Sequence, residues 1–205
     1  MSRRYYYRSK SRAALKRIAD VVLKTFAGKR QGWAIDIEAI VEGMGIDILY
    51  REMRGIPIDA YLARTPRTIV VNQYSLTPLT RFRFTLAHEL AHHILEFQLW
   101  TQPGLQMPRG TTYKELSKMQ YRAIEQDASK LSAELLQPED HYRERFAAHH
   151  EELSTAGVSG NELLACCIRA VATDFQVAQR SAGYRATVLG LTTSKKFNEL
   201  FPIIM

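Results

Sequence analysis

FTLAHELAHH, at residues 84–93, is the most informative stretch of this sequence because it contains the pattern H-E-x-x-H. His88 and His92 are four residues apart, so on an α-helix they share one face with Cβ atoms about 5–6 Å apart. Two imidazoles at that separation can bind one divalent cation. Glu89 is rotated by about 100° from His88, where its carboxylate can reach an attacking water without occupying the coordination sphere.

The helix that carries this pattern is largely apolar and is predicted to span residues 77–97, beginning at Thr77 and Pro78. A mostly buried helix must give its polar side chains partners, and a metal is the simplest partner for two histidines one turn apart. A bound cation lowers the pKa of water and polarises a peptide carbonyl, while a carboxylate moves the proton to the leaving amine. The pattern therefore predicts peptide hydrolysis, with Glu89 as the catalytic base and acid.

Hydrolytic zinc usually has three protein ligands, so a third ligand must come from outside this helix. The acidic candidates lie in residues 123–138, which are predicted to be helical. Glu125 lies nearer to the predicted inward stripe than Asp127 does, which makes Glu125 the predicted third ligand. Asp127 is the alternative ligand or a group that orients a histidine, and Glu134 is predicted to be solvated. The stripe consists of Ile124, Ala128, Leu131 and Leu135.

The other histidines are predicted to lie at the surface, since His93 is one residue off the ligand face and the rest lie in a polar segment. That polar segment contains His141, His149 and His150. Zinc is the preferred metal, although two imidazoles and a carboxylate also accept manganese. A Tyr, His or Arg could stabilise the oxyanion, and the spacing of the ten tyrosines selects none of them.

Length and composition indicate a soluble chain with one substantial core, since 46% of its 205 residues are hydrophobic. No apolar run is long enough to span a membrane, and the N-terminus lacks the apolar region of a signal peptide. A cytoplasmic location is expected. Cys166 and Cys167 are adjacent, so they provide neither a disulfide framework nor a zinc-ribbon spacing.

The formal charge of +7 comes from the N-terminal segment. Seven of the 28 basic residues precede Asp20, so that 21 remain to balance the 21 acidic residues. This basic arm, which also contains Tyr5, Tyr6 and Tyr7, could contact phosphate or an acidic partner, but a solvated arm is the favoured interpretation. DNA binding is therefore only weakly supported.

The remaining pattern predicts an α+β fold that is mainly helical, with a small antiparallel sheet and a C-terminal helix-turn-helix-like segment. Three units are expected: residues 1–27 as basic arm and first helix, 28–153 as the main domain, and 154–205 as the helix-turn-helix-like segment. From Gly160 onward there are five basic and three acidic residues, which favours packing or partner docking over DNA binding. Predicted helices are 11–26, 36–43, 113–137, 139–153 and two within 161–191; predicted strands are 46–50, 58–64 and 68–72, with a loop at 98–112.

Residues 81–92 and 125–138, together with the helix at 35–40 and the strand ending at Asn72, resemble the ImmA/IrrE family of metallopeptidases. The resemblance implies a zincin-like domain at residues 28–153, with two histidines and Glu125 on zinc. Ser129 departs from the family pattern, which usually has Asn or Asp at that position.

Members of that family commonly cleave a helix-turn-helix repressor and thereby derepress phage, mobile-element or stress genes, so the resemblance implies a site-specific endopeptidase. Two alternatives remain at this point. One is a regulatory DNA- or protein-binding module with a structural metal, which the glutamate of H-E-x-x-H opposes because a structural site has no use for it. The other is an antitoxin- or toxin-like partner whose peptidase activity is latent.

Overall fold

Eight helices and three strands make up the computed structural model of the protein, which describes residues 7, 9–28, 32–63, 67–101 and 117–202. The α+β class and the predominance of helix predicted from the sequence are confirmed. No helix in this described part combines the length and apolar character needed to cross a membrane. The helices are α1 (Arg12–Phe26), α2 (Ile37–Gly43), α3 (Leu79–Thr101), α4 (Lys118–Leu136), α5 (Glu139–Thr155), α6 (Gly160–Asp174), α7 (Gln179–Val188) and α8 (Ser194–Leu200); the strands are β1 (Asp47–Arg51), β2 (Ala60–Ala63) and β3 (Thr68–Asn72).

Side-chain caps begin four of the described helices, α1, α2, α4 and α8. The side chain of Asp36 accepts a hydrogen bond from the backbone N–H of Ala39 at 3.0 Å and caps α2, as its position predicts. The central helix α3 continues to Thr101, so the first residues of the predicted loop at 98–112 are helical. The rest of that loop, and the first residues of the predicted helix at 113–137, lie outside the described residues. Helix α8 was not predicted.

The sheet is mixed, which corrects the prediction of a small antiparallel sheet. Strand β3 lies in the middle, with β2 antiparallel on one side, as the predicted hairpin requires, and β1 parallel on the other. The chain between β1 and β2 must therefore cross the end of β3. Asn72 holds this crossing, because its side-chain amide donates to the carbonyls of Met53 and Ile58 at 3.2 and 3.1 Å.

Helix α3 packs through the centre of the core, where Leu86 and Leu90 are fully buried. One face of the sheet packs on it, and two hydrogen bonds of 3.0 and 2.7 Å from the guanidinium of Arg81 to Asp59 fix the start of β2 against the helix. Helix α4 packs along the other side of α3. The sheet and α4 therefore flank the residues of the H-E-x-x-H pattern.

Glu134 is buried, so the prediction that it is solvated was wrong. Its carboxylate accepts two hydrogen bonds from Arg185 of α7, at 2.6 and 2.5 Å, and the side chains of both residues are at most 4% exposed. Arg185 also donates to the carbonyl of Gln137. The helical wheel of α4 alone could not reveal this partner, because α7 packs there from 51 residues further along the chain.

Asp127 is also fully buried, and it binds the end of the basic arm. Its carboxylate accepts hydrogen bonds from the hydroxyls of Tyr7 and Ser9, both at 2.8 Å, and from the backbone N–H of Lys10 at 2.7 Å. The interpretation of a solvated arm is therefore wrong for Tyr7, which is 3% exposed, whereas Ser9 is exposed and Lys10 is half-buried although both are hydrogen-bonded to Asp127. Residues 1–6 and 8 lie outside the described part of the chain.

The C-terminal helices α6 and α7 are joined by a four-residue turn, as the helix-turn-helix-like pattern predicts. His149 was expected at the surface, but its side chain is 14% exposed and its Nε2 lies 2.7 Å from Asp174, which connects α5 to α6. His150 is exposed, as expected. The predicted division of the chain at residues 153 and 154 stays a prediction.

Replacing Arg185 by Met should lower the free energy of unfolding by about 3–5 kcal/mol, because it removes both hydrogen bonds of the buried Glu134 carboxylate and leaves it only the longer ion pair with Arg12, at 3.9 Å. Urea denaturation followed by circular dichroism measures this change. The control is Arg54→Ala: Arg54 is 78% exposed and pairs with Glu52 at 3.5 Å, so its loss should cost at most about 1 kcal/mol. Equal effects of the two substitutions would contradict the importance of the buried pair.

Replacing Tyr7 by Phe should lower the free energy of unfolding by about 1.5–3 kcal/mol, since it removes a buried hydrogen bond to a charged group and keeps the ring. The same variant should expose the bonds around residues 7–10 to trypsin, which mass spectrometry of the early fragments detects. Tyr61→Phe is the control, because it removes the same hydroxyl from a side chain that is 40% exposed, and it should change the free energy of unfolding by at most about 0.5 kcal/mol. Unchanged stability and cleavage in Y7F would show that the arm is not held by Asp127.

Candidate metal centre

Helices α3 and α4 bring the predicted metal ligands together. His88 Nε2 lies 3.1 Å from Glu125 Oε2, and His92 Nε2 lies 3.4 Å from Glu125 Oε1. The two imidazoles face each other through their Nε2 atoms at 3.1 Å. One ligand atom of each residue lies within 4.8 Å of the others, so the three side chains form one group capable of holding a metal ion.

The spacing of these atoms fits a small tetrahedral cation. Zinc bonds of about 2.0–2.2 Å in tetrahedral geometry place ligand atoms about 3.3–3.6 Å apart. The observed separation of 3.4 Å lies in this range, and the other two, both 3.1 Å, are shorter than it by about 0.2 Å. The donor set of two imidazoles and one carboxylate is one that zinc and manganese both accept. Three protein donors leave a fourth position for water or substrate, which is the arrangement of a catalytic zinc site.

The centre is buried on the side of α3 and more open on the side of α4. The side chains of His92, His88 and Glu125 are 8%, 20% and 34% exposed, respectively. Hydrogen bonds with the two imidazoles hold the pKa of Glu125 well below its usual range. The carboxylate is therefore ionised at neutral pH, which is the form that binds a metal.

Phe84 supports the first ligand by packing. Its ring lies nearly parallel to the imidazole of His88, with centroids 6.2 Å apart and an interplanar angle of 27°. Asp127 was considered as a ligand or as a group that orients a histidine, but its carboxylate binds the N-terminal arm and it does not belong to the three-residue group.

Glu89 lies beside the ligands on α3 and is partly buried. Burial raises its pKa, although the two neighbouring histidines act in the opposite direction. The backbone N–H of Leu62 in β2 donates a hydrogen bond to its carboxylate. A carboxylate that is less stabilised as an anion accepts a proton more readily, which suits the predicted base.

Tyr121 is a residue of this site that the sequence analysis did not single out. It precedes Glu125 by one turn of α4, and its hydroxyl forms a hydrogen bond with that carboxylate. The negative charge of Glu125 raises the pKa of Tyr121, which keeps the phenol protonated. The side chain is 45% exposed. Its spacing of four residues from the predicted third ligand was the signal that could have selected it.

The fold is similar to that of a solved Mycobacterium tuberculosis transcriptional regulator, with a TM-score of 0.54 at 15% sequence identity. The match covers 85% of this chain and 46% of that chain, so this protein spans less than half of the regulator. No curated protein matches the sequence.

The family description that matches the chain is the IrrE N-terminal-like domain of the M78 peptidases, and the match covers residues 41–187. It includes α3, α4 and therefore all of His88, Glu89, His92 and Glu125. Because it extends over well more than half of the chain, the protein belongs to the IrrE N-terminal-like family of M78 peptidases, as the resemblance in its sequence implied.

Proposed function

We propose that the protein is a zinc-dependent, site-specific endopeptidase of the cytoplasm. The observation that carries this proposal is the group formed by His88, His92 and Glu125, with the carboxylate of Glu89 beside it. Membership of a peptidase family supports the reaction type. The alternative metal is manganese.

In this proposal His88, His92 and Glu125 hold the cation, and Glu125 supplies a negative charge to it. When bound, the cation lowers the pKa of water and polarises the peptide carbonyl. Glu89 takes a proton from the attacking water and passes it to the leaving nitrogen. The hydrogen bond from Leu62 orients the Glu89 carboxylate for both transfers.

Tyr121 is the residue that we assign to the oxyanion. Its phenol is protonated, lies at the more open side of the centre, and already donates to a neighbouring oxygen. A hydroxyl donor close to a developing negative charge stabilises the transition state. Among the tyrosines of the described residues, the contact with Glu125 distinguishes this one.

The substrate that we propose is a helix-turn-helix repressor, whose cleavage derepresses phage, mobile-element or stress genes, as the family resemblance implies. Strand β2 forms an edge of the described sheet, and its Leu62 contacts Glu89. An extended substrate segment that pairs with this edge would lie alongside the proposed base.

A regulatory DNA-binding module with a structural metal is the alternative function, and the described structure favours it less. The second helix of the helix-turn-helix-like pair, α7, uses Arg185 for the buried contact with Glu134. Arg180 is its other basic residue. A single available arginine provides few phosphate contacts for DNA binding.

Metal binding is the first test. The purified chain should bind one equivalent of Zn²⁺, and His88→Ala, His92→Ala and Glu125→Gln should each weaken the binding at least about tenfold, because each removes one of three ligands. Isothermal titration calorimetry and metal analysis after dialysis measure the affinity and stoichiometry. His93→Gln is the matched control and should bind zinc as the wild type does. Full zinc affinity in H88A would disprove the assignment of the ligands.

The role of Glu89 is the second test. Glu89→Gln should retain zinc and the wild-type melting temperature but lose at least about 100-fold in the rate of cleavage, which is the scale of general acid–base catalysis. The assay incubates the variant with a helix-turn-helix repressor that the wild type cleaves and follows the fragments by mass spectrometry. Glu151→Gln, an exposed change in α5, should cleave normally. Cleavage by E89Q at the wild-type rate would remove Glu89 from the mechanism.

A further inference from the structure

A cavity of about 680 Å³ lies next to the proposed metal centre, between α1, α3, α4 and α7. Its lining contains Phe84, which stacks on His88, and Ser129, which follows Glu125 by one turn of α4. One turn of helix is about 5.4 Å. The cavity therefore begins about one turn from the metal ligands and runs away from them along both helices.

The walls of this cavity are mainly apolar. The side chains of Tyr184 and Val188 stand at its α7 side and are 52% and 53% exposed. Large apolar side chains that are exposed around a concave site are typical of binding surfaces. Further apolar lining comes from Leu15, Phe84, Ala133 and Val177.

The charges around the cavity are mostly positive. Its lining includes five cationic side chains and a single carboxylate, that of Glu134, which Arg185 already neutralises. The other cations are Arg12, Arg81, Lys130 and Arg180. The first three of these pair with Glu139, Asp59 and Asp127, respectively.

Arg180 differs from the other cations because its hydrogen bonds go to neutral groups. It donates to the carbonyl of Phe201 and to the hydroxyl of Tyr184. Its guanidinium also lies over the ring of Tyr184, 5.6 Å from the centroid. A carboxylate from a bound molecule can therefore pair with Arg180 without displacing an ion pair of the protein.

From these observations we infer that the cavity is the specificity subsite for the peptide substrate and takes an apolar segment flanked by an acidic residue. This inference rests on the proposed endopeptidase function. An extended peptide advances about 3.3–3.6 Å per residue, so side chains one to three residues from the scissile bond reach the cavity. Its volume lies in the range of sites that enclose whole ligands, about 300–1,000 Å³, so it has room for more than one large side chain.

Binding can be measured without cleavage by using the Glu89→Gln variant. The probe is a fluorescein-labelled peptide that contains Leu-Phe between two glutamates, and fluorescence anisotropy gives its Kd. Replacing Leu-Phe by Ala-Ala should weaken binding by at least about tenfold, since it removes the burial of two large apolar side chains. Replacing both glutamates by lysines should weaken it by at least about threefold, a smaller effect because the contact with Arg180 is partly exposed.

Two further substitutions in the same background locate the binding. Ala133→Phe fills the cavity two turns from Glu125 and should remove the preference for Leu-Phe over Ala-Ala. Arg180→Glu should reverse the preference from glutamate to lysine flanks. Lys195→Glu changes an equal charge on exposed α8, outside the cavity lining, and should leave both preferences unchanged. Melting temperature and zinc content show whether each variant is folded. If A133F does not fold, the reversed preference expected of R180E tests the inference by itself.

The active chain provides the complementary measurement, in which wild-type cleavage of a proteome-derived peptide library is read by mass spectrometry. Enrichment of large apolar residues within three positions of the cut, on one side, together with Asp or Glu, supports the subsite. Cleavage without that enrichment, and with equal affinity for both probe peptides, overturns it and leaves the endopeptidase function intact. Selective binding with no cleavage of any peptide overturns the function and leaves the site. Tighter probe binding after removal of residues 203–205 would assign the cavity to the end of this chain instead.

Discussion

The antiparallel packing of α3 against α4 is the contact on which the rest of this structure depends. Helix geometry alone places His88 and His92 side by side. Glu125 reaches them only if α4 has one particular axial position along α3. A shift of one turn, about 5.4 Å, would place Tyr121 or Ser129 where Glu125 now stands. The fully buried residues of both helices, among them Leu86, Leu90 and Leu131, fix that axial position.

Two buried carboxylates hold α4 from its other side. Asp127 binds the N-terminal arm, and Glu134 binds Arg185 of α7. Both residues share a helix with Glu125, so each contact restrains the position and rotation of the helix that carries the proposed third ligand. Charges buried in this way contribute little net stability when they are paired, and their effect here is to specify where α1 and α7 meet α4.

Sequence reasoning predicted that His88, His92 and Glu125 lie together, as they do, because local periodicity is enough for that: the spacing of four residues defines one helical face, and the apolar stripe of α4 separates Glu125 from Asp127. The roles of these residues and of Glu89 stay predictions. Sequence reasoning failed for Glu134 and Asp127 because their partners lie 51 and about 120 residues away. The prediction of an antiparallel sheet was wrong for β1, which pairs in parallel with β3. The sequence of β1 does not indicate that the chain after it will cross the end of β3. Hydrophobic periodicity identifies one buried face of a helix, whereas α4 also buries Asp127 against the N-terminal arm and Glu134 against α7.

The proposed metal centre and the cavity depend on the same packing of α3, α4 and α7. Phe84 packs on His88 and lines the cavity, so the side chain that supports a ligand also forms a wall of the adjacent binding space. On the opposite wall, α7 keeps its position through Arg185 and Glu134, while its outward residues Tyr184 and Arg180 face the opening. The second helix of the helix-turn-helix-like pair, held in this way, forms a wall of the proposed peptide subsite, and its exposed apolar side chains and few basic ones suit that role better than DNA binding. The Arg185–Glu134 contact therefore both stabilises the fold and fixes the position of the α7 wall of the cavity.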